Sequence, residues 1–148
     1  MIWIPTLKAW LDPAIFGLLG VMSLLWLWAI IERWWFYRGL KGALMQFATI
    51  ESLTIALTEN LTLIATVASN APYVGLLGTV LGVLVAFFDL AQGGKFDTAA
   101  VMLGLAFALK ATAAGITLAI FGMFSYNALN RKVEVLTLRW QEVRKLQK

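Results

Sequence analysis

Long stretches without a charged side chain dominate this sequence and constrain its fold more than any other feature. One uncharged window covers residues 13–31, and a second covers residues 60–88. A third window covers residues 98–130 and is interrupted only by Lys110. A helix of about 20 apolar residues crosses the hydrocarbon core of a bilayer. The sequence therefore predicts an all-α membrane protein with three transmembrane helices.

The composition excludes a soluble domain and removes most enzymatic chemistry. Of the 148 residues, 61% are hydrophobic and 14% are charged, whereas soluble domains contain about 45 to 50% apolar residues. The sequence has no cysteine and no histidine, which excludes thiolate catalysis, cysteine-bound metals and the commonest general base. We therefore expect a membrane protein that is not an enzyme and that needs no metal and no cofactor.

We expect one integral membrane domain over residues 1–148. The pair Asp12-Pro13 is typical of a helix start, and the aromatic run 34–37 indicates a membrane surface after the first window. The first window is too long for a signal peptide and lacks a small-x-small cleavage motif, so we expect it to be retained. The predicted spans are about 14–31, 71–91 and 99–121, and the predicted cytoplasmic helical parts are about 32–70 and 127–148.

Basic residues set the predicted orientation. Nine lysine and arginine residues follow the first or the third span, and only Lys8 and Lys95 lie on the other side of the membrane. Under the positive-inside rule, this asymmetry places the N-terminus outside and the C-terminus in the cytoplasm. The net charge of +4 is then explained by topology, and we expect no nucleic-acid partner.

Two cytoplasmic segments show helical periodicity. The leucines at positions 53, 57 and 61 recur at a four-residue period, which predicts an amphipathic helix packed on its neighbours. After residue 127 an apolar stripe predicts that the third helix continues into the cytoplasm and packs against another helix. The residues of this stripe are Val133, Leu136, Trp140, Val143 and, at its end, Leu146.

Small residues recur along one face of each of the last two spans, and Thr79 and Thr112 lie beside them. In lipid, helices associate through close contact of small residues and through hydrogen bonds between helices. These faces either let two helices of one subunit touch, with each threonine bonded to the carbonyl four residues back, or they receive a partner. The expected packing residues are Gly75, Gly78, Gly82, Gly115 and Gly122.

Lys110 is the one charged residue near the middle of a predicted span. At 100° per residue it lies about 200° from Thr112 around the helix, so it is off the glycine face. Two roles stay open: the ammonium group tunes charge by pairing with an acid, or it snorkels to the membrane surface and its lipid headgroups. The nearest acid is Asp89, at the end of the second span. Because no carboxylate lies in the middle of a span, a proton pathway needs an acid from another protein.

Two motifs carry a resemblance to a known family. Residues 69–82 read SNAPYVGLLGTVLG, residues 108–115 read ALKATAAG, and Tyr126-Asn127 follow. In this order, on the second and third spans, they resemble the MotA/TolQ/ExbB proton-channel family, and short proteins of the ExbB type are most similar. The motifs cover about a third of the chain.

The resemblance implies a homo-pentamer of three-helix subunits in the bacterial inner membrane, with a periplasmic N-terminus. The second and third spans would line a pore around an ExbD-like single-span protein whose intramembrane aspartate accepts protons, and the complex would drive a TonB-like protein in outer-membrane uptake. Thr79 and Thr112 match the pore-lining threonines of the proton pathway. The glycines at positions 75, 78, 82 and 115 match packing positions, and Pro72 matches the proline that opens the second span.

Two departures and several alternatives accompany this interpretation. Many family members have glutamate where this chain has Phe107, and many have a proline where it has Phe121, so we expect a straighter third helix. A TolQ-like energiser of a Tol-Pal-type envelope system is the alternative within the family. A non-conducting membrane scaffold is the alternative from another class. A channel formed by this chain alone is disfavoured because the spans carry no ring of acids.

Overall fold

A computed structural model describes residues 3–40, 44–92 and 98–146, all of whose regular structure is helical. Three long helices and one short helix follow one another along the chain. They are α1 (Trp3–Gly39), a 3-10 turn (Leu44–Gln46), α2 (Ile50–Thr58), α3 (Leu61–Gln92) and α4 (Thr98–Leu146). In α1, α3 and α4 the segments 13–39, 61–88 and 101–146 are long and apolar enough to cross a membrane. The predictions of an all-α fold and of three candidate spans are confirmed.

Prolines do not mark the starts of the long helices. α1 begins at Trp3 and contains Pro13 in its interior, so the prediction of a helix start at Asp12-Pro13 is wrong. Pro72 likewise lies inside α3, which begins at Leu61. Proline is tolerated inside long apolar helices where neighbouring helices satisfy the freed backbone groups. α4 is continuous over 49 residues.

The structure divides the predicted helix with Leu53, Leu57 and Leu61 at residues 59–60, and its first part is α2. It begins with a capping box in which the backbone N–H of Ser52 donates to Oγ1 of Thr49 over 3.2 Å. Leu53 and Leu57 are fully buried, and Leu61 at the start of α3 continues their stripe. These leucines form one core with residues of α1, α3 and α4, which gathers all four helices at one end of the molecule. Other members of this core are Ala29, Tyr37, Ile64, Leu129, Val133 and Trp140.

The end of α4 packs as predicted only as far as Trp140. The Trp140 ring is buried, and its Nε1 donates to the carbonyl of Phe47 over 3.3 Å. Arg144 adds a hydrogen bond to the carbonyl of Ala48, 2.8 Å away. Val143 is 39% exposed and Leu146 is 87% exposed, so the assignment of both to the packed stripe is wrong. In the described part of the chain, the last hydrogen bonds from this end of α4 to another segment are those of Arg144.

Large apolar side chains cover the outside of the three long helices. Trp28, Val80, Phe87 and Ile120 are each more than half exposed. A soluble monomer rarely shows so much contiguous apolar surface. This surface therefore suits contact with lipid or with other transmembrane helices. Lys41, Lys95 and Lys148, which contribute to the predicted orientation, lie outside the described residues.

Candidate functional site

Glycines bring the backbones of α3 and α4 into direct contact. A Cβ atom on Gly115 would lie 2.5 Å from the carbonyl oxygen of Ala71. A Cβ atom on Gly75 would lie 2.8 Å from the carbonyl oxygen of Ala111 and 3.0 Å from Cα of Thr112. Real side chains are not found at such distances from backbone atoms. The two helices can therefore approach this closely only because both positions are glycine.

The same contact continues along both helices in antiparallel order. Added Cβ atoms would lie 2.7 Å from Cβ of Ala108 at Gly82 and 2.9 Å from Cβ of Ala68 at Gly122. Gly78 faces both Ala111 and Ile15, so it also admits α1. These glycine faces thus join helices of one chain. This agrees with the first alternative, in which the small residues let two helices of one subunit touch. Gly104 differs, because its added Cβ would meet no atom closer than 3.9 Å.

Thr79 and Thr112 meet across this helix pair. Their hydroxyl groups are in direct hydrogen-bond contact. Thr112 Oγ1 also lies 3.0 Å from the carbonyl oxygen of Gly75 on α3, and Thr79 Oγ1 lies 3.1 Å from that of Ala108 on α4. The bond from Thr79 to the carbonyl four residues back, Gly75, is longer at 3.5 Å. The expectation that each threonine bonds mainly within its own helix is therefore wrong, and both hydroxyls link the two helices.

Hydrogen counting shows what the threonine pair can offer a ligand. Each hydroxyl has one proton to donate and two lone pairs to accept with. Two protons face three acceptors, namely the Gly75 carbonyl, the Ala108 carbonyl and the other hydroxyl. Both protons are thus used within the chain, while lone pairs on both oxygens stay free. The two hydroxyl oxygens can accept a hydrogen bond from a ligand. A hydroxyl can donate to a ligand only if it first breaks its hydrogen bond to an acceptor within the chain.

The threonine pair lies on the side of α3 and α4 away from α1. Helix α1 packs on α3 and α4 through Ile15, which clusters with Val85 of α3 and Ala111 of α4. At 100° per residue, Thr79 is about 120° from Val85 and Thr112 about 100° from Ala111 around their helices. Both threonine side chains are partly exposed, whereas Ala111 is buried. A group approaching from the side opposite α1 can therefore reach both hydroxyls.

Comparison with known proteins identifies the family. The sequence profile of the MotA/TolQ/ExbB proton channel family matches residues 36–142, which include both threonines and all the packing glycines. The chain belongs to the MotA/TolQ/ExbB family. Its resemblance to this family, inferred from the two motifs, is confirmed.

Curated members of the MotA/TolQ/ExbB family are similar to this chain, and two proteins of the ExbB type are similar over most of their length. The biopolymer transport protein ExbB of Helicobacter pylori is 47% identical over 135 residues, which are 91% of this chain and 92% of the relative. The biopolymer transport protein ExbB of Aquifex aeolicus is 45% identical over 93% of this chain and 91% of its own. The Tol-Pal system protein TolQ of Pseudomonas aeruginosa is 42% identical over 57% of this chain and 36% of its own. The similarity thus extends to both the ExbB and the TolQ type.

Lys110 does not join the threonine pair in this family member. Its side chain is exposed, and its ammonium nitrogen lies 5.1 Å from the centre of the Phe107 ring. Among the described residues no carboxylate is within salt-bridge distance of Lys110. The side chain of Asp89, the acid expected nearest to it, lies outside the described residues. Phe107 itself is about 140° from Thr112 around the helix, so it does not share the threonine face.

A buried arginine near the end of α1 was missed by sequence reasoning, which counted Arg33 only as a topology charge. The Arg33 side chain is 1% exposed and donates to the carbonyl of Ala56 over 2.8 Å and to Glu32 over 2.6 Å. Asn60, in a left-handed conformation between α2 and α3, donates to the same Glu32 over 3.0 Å. The network ties α1 to the α2–α3 junction. The sequence does carry a signal for the burial of Arg33. Arg33 lies four residues from both Ala29 and Tyr37, which are buried on the same face of α1.

The described residues offer no metal site. In residues 3–40, 44–92 and 98–146, no three acids, histidines or cysteines are grouped so that they could hold an ion. The chemistry of the threonine pair is therefore that of hydroxyl groups and backbone carbonyls.

Proposed function

We propose that this chain is the channel-forming subunit of a proton-driven energiser complex in the bacterial inner membrane. Its partner would be an ExbD-like single-span protein bearing an intramembrane aspartate, and the complex would power outer-membrane uptake through a TonB-like protein. The observation that carries the proposal is the pair of threonine hydroxyls, joined across α3 and α4 and reachable from the side opposite α1.

The hydroxyl pair suits a carboxyl group that gains and loses a proton. A neutral carboxylic acid can donate to the free lone pairs of Thr79 or Thr112 without disturbing the helix pair. A carboxylate needs a donor, and it obtains one when a threonine exchanges its carbonyl partner for the acid. Both protonation states thus find a hydrogen-bond partner at one place. This property favours repeated proton uptake and release over tight binding of one state.

The titrating acid has to come from another chain. The acids of this sequence are Asp12, Glu32, Glu51, Glu59, Asp89, Asp97, Glu134 and Glu142, and all of them lie outside the uncharged windows. An intramembrane proton pathway needs an ionisable group at depth. A single-span partner with an aspartate at the level of Thr79 and Thr112 would supply that group.

The uncovered side of α3 and α4 supports assembly around such a partner. Leu76 and Ile116, which flank the threonines on this side, are about half exposed. A ring of subunits that turns this side inward would enclose the partner helix, and α1 would then face outward to lipid. We propose a homo-pentamer with a periplasmic N-terminus and a cytoplasmic C-terminus. The helical parts at about 32–70 and 127–148 would then lie in the cytoplasm.

Two other functions are tested by the same experiments. A TolQ-like role in a Tol-Pal-type envelope system is favoured by the similarity to a TolQ protein. A non-conducting scaffold is favoured by the finding that the glycine faces already join helices within the chain. The neighbouring genes separate the energisers from the scaffold, because an energiser of either type needs a nearby single-span protein with an intramembrane aspartate.

Valine substitutions test the role of the hydroxyls. Thr79→Val and Thr112→Val keep the shape of the side chain and delete the hydroxyl group. We expect both to abolish energised outer-membrane uptake in cells that depend on this chain, while the purified oligomer keeps its mass. The matched control is Thr117→Val on α4, because the exposed Thr117 hydroxyl bonds only Ala113 O in its own helix. Uptake that survives both Thr79→Val and Thr112→Val would reject the proton role and favour the scaffold.

Co-purification tests the proposed assembly. The chain is purified together with the product of the neighbouring gene, and the native mass of the complex gives the number of each subunit. We expect five copies of this chain around one or more copies of the single-span protein. A chain that purifies alone and conducts protons by itself would contradict the division of roles between two proteins.

A further inference from the structure

A basic cleft near the end of α1 is not used by the proposed proton pathway. It has a volume of about 410 Å³ and lies between Trp34, Tyr37 and Arg38 of α1 and the part of α4 that carries Lys132, Leu136 and Arg139. This volume is in the range of small-molecule sites. We refer to it as the basic cleft.

The basic residues of the cleft lack a counter-charge in the chain. Within the described ranges, no carboxylate lies within salt-bridge distance of Arg38, Lys132 or Arg139. Arg131, which also lines the cleft, is paired with Glu134 at 2.8 Å. Like charges around one cavity repel one another, and a bound anion removes that repulsion. The cleft is therefore built to attract an anion.

The walls of the cleft are apolar. Tyr37 is buried and Leu136 is half-buried, and both line the cleft beneath the basic side chains. The guanidinium carbon of Arg38 lies 4.2 Å from the centre of the Trp34 ring, so cation–π contact holds this arginine at the rim. A free phosphate would use only the charges. An amphiphile would use both the charges and the apolar walls.

The position of the cleft along the helices matches the headgroup layer of a membrane. The uncharged window of α1 ends at Ile31, and that of α4 ends at Asn130. The cleft follows directly after both windows, next to the aromatic run 34–37. Aromatic and basic residues at this level face lipid headgroups, and basic pockets between transmembrane helices bind anionic headgroups.

We propose that the basic cleft binds an anionic phospholipid, with the phosphate between Arg38, Lys132 and Arg139 and the start of an acyl chain against Tyr37 and Leu136. The site would fasten the end of α1 to α4, because the ligand contacts both helices. This inference needs the chain to be in a membrane, but it is independent of proton transport. Its failure would leave the proposed function unchanged.

Lipid titration of the assembled protein tests the proposal. The full chain is purified from membranes as its native oligomer, and native mass measurement follows the binding of added short-chain phosphatidylglycerol. We expect Lys132→Gln and Arg139→Gln each to weaken binding about fivefold, the usual effect of one basic residue at a membrane surface. The control is Lys145→Gln, which removes the same charge from an exposed residue of α4 that does not line the cleft.

Other probes distinguish the sources of the anion. Phosphatidylcholine, which has the phosphate but no net charge, and glycerol 3-phosphate, which has no acyl chain, should both bind at least about tenfold more weakly. Equal weakening by Lys145→Gln, or equal binding of phosphatidylcholine, would overturn the site. Equal binding of glycerol 3-phosphate would assign the cleft to a free phosphate. A third outcome is an acidic protein that co-purifies with the parent chain but not with the Lys132→Gln variant, while lipid binding is unchanged. That outcome would assign the cleft to a protein partner and would also overturn the proposal.

Discussion

Thr112 on α4 hydrogen-bonds the backbone carbonyl of Gly75 on α3, with its Oγ1 3.0 Å from the carbonyl oxygen. The same glycine lets the two backbones touch, since a Cβ atom there would lie 3.0 Å from Cα of Thr112. The close packing of α3 and α4 and the position of the Thr112 hydroxyl therefore depend on each other at Gly75. A change that separates the helices also separates the two threonines.

Gly115→Ala tests this dependence. The added methyl group would lie 2.5 Å from the carbonyl oxygen of Ala71, so α3 and α4 must move apart. We expect a loss of about 1 to 3 kcal/mol in the free energy of unfolding, measured by thermal unfolding in detergent, together with loss of uptake. The matched control is Gly104→Ala, where the methyl group has room. It should be neutral or should stabilise the helix by up to about 1 kcal/mol. Equal effects of the two changes would contradict the contact.

Thr112→Val should destabilise the chain slightly as well as abolish its function. The substitution removes an interhelical hydrogen bond, which contributes about 0.6 to 2 kcal/mol in membrane proteins. Thr117→Val on the same helix removes only a bond within α4 and should cost less than about 0.5 kcal/mol. A double-mutant cycle of Thr112→Val with Thr79→Val measures the coupling of the two hydroxyls. Strictly additive effects on stability would show that the hydroxyls do not interact.

Arg33→Gln should destabilise the junction between α1 and α2. The change removes the hydrogen bonds of a buried guanidinium and leaves the carbonyl of Ala56 without its donor. We expect a loss of about 2 to 3 kcal/mol in the free energy of unfolding, because charged hydrogen bonds are lost from a buried place. Arg131→Gln breaks only an exposed pair with Glu134 and should cost less than about 1 kcal/mol. A similar melting temperature for both variants would show that the Arg33 network is not structural.

Trp140→Ala should release the end of α4 from the core. The ring is buried, and its Nε1 is bonded to the carbonyl of Phe47, so the truncation leaves a cavity and removes one of the two hydrogen bonds to that carbonyl, which also accepts from Arg144. A loss of about 3 to 5 kcal/mol is typical of such a change. Leu146→Ala, at a side chain that is 87% exposed, should leave stability within about 0.5 kcal/mol of the parent. Limited proteolysis adds a second readout, and we expect faster cleavage after residue 127 only in the Trp140 variant.

Lys110→Met separates a structural role from a role toward a partner. The side chain is exposed and contacts the Phe107 ring, so we expect the melting temperature of the chain alone to be unchanged. Loss of uptake in a variant of unchanged stability would then assign the ammonium group to charge tuning against another protein. Retention of uptake would assign it to the membrane surface. A clear fall in the melting temperature would contradict the exposed position.

The general architecture was predictable because its signals are local. Uncharged windows predict spans from 20 or so neighbouring residues, and a four-residue period predicts the buried leucines of α2. The same reasoning was wrong at Asp12-Pro13, since a proline in a long apolar helix need not mark the first turn of that helix. It was also wrong at Leu146, because periodicity does not show where the covering helix ends.

The sequence by itself determined that this chain is a helical membrane protein with two glycine faces, two threonines beside them and no acid of its own in the middle of a span. Only the tertiary structure decided which groups meet. It placed Thr79 against Thr112, gave Gly115 a backbone neighbour that Gly104 lacks, and buried Arg33 while leaving Lys110 exposed. The physical reason is that helical periodicity defines the faces of a helix, whereas the rotation and register of neighbouring helices decide which faces touch.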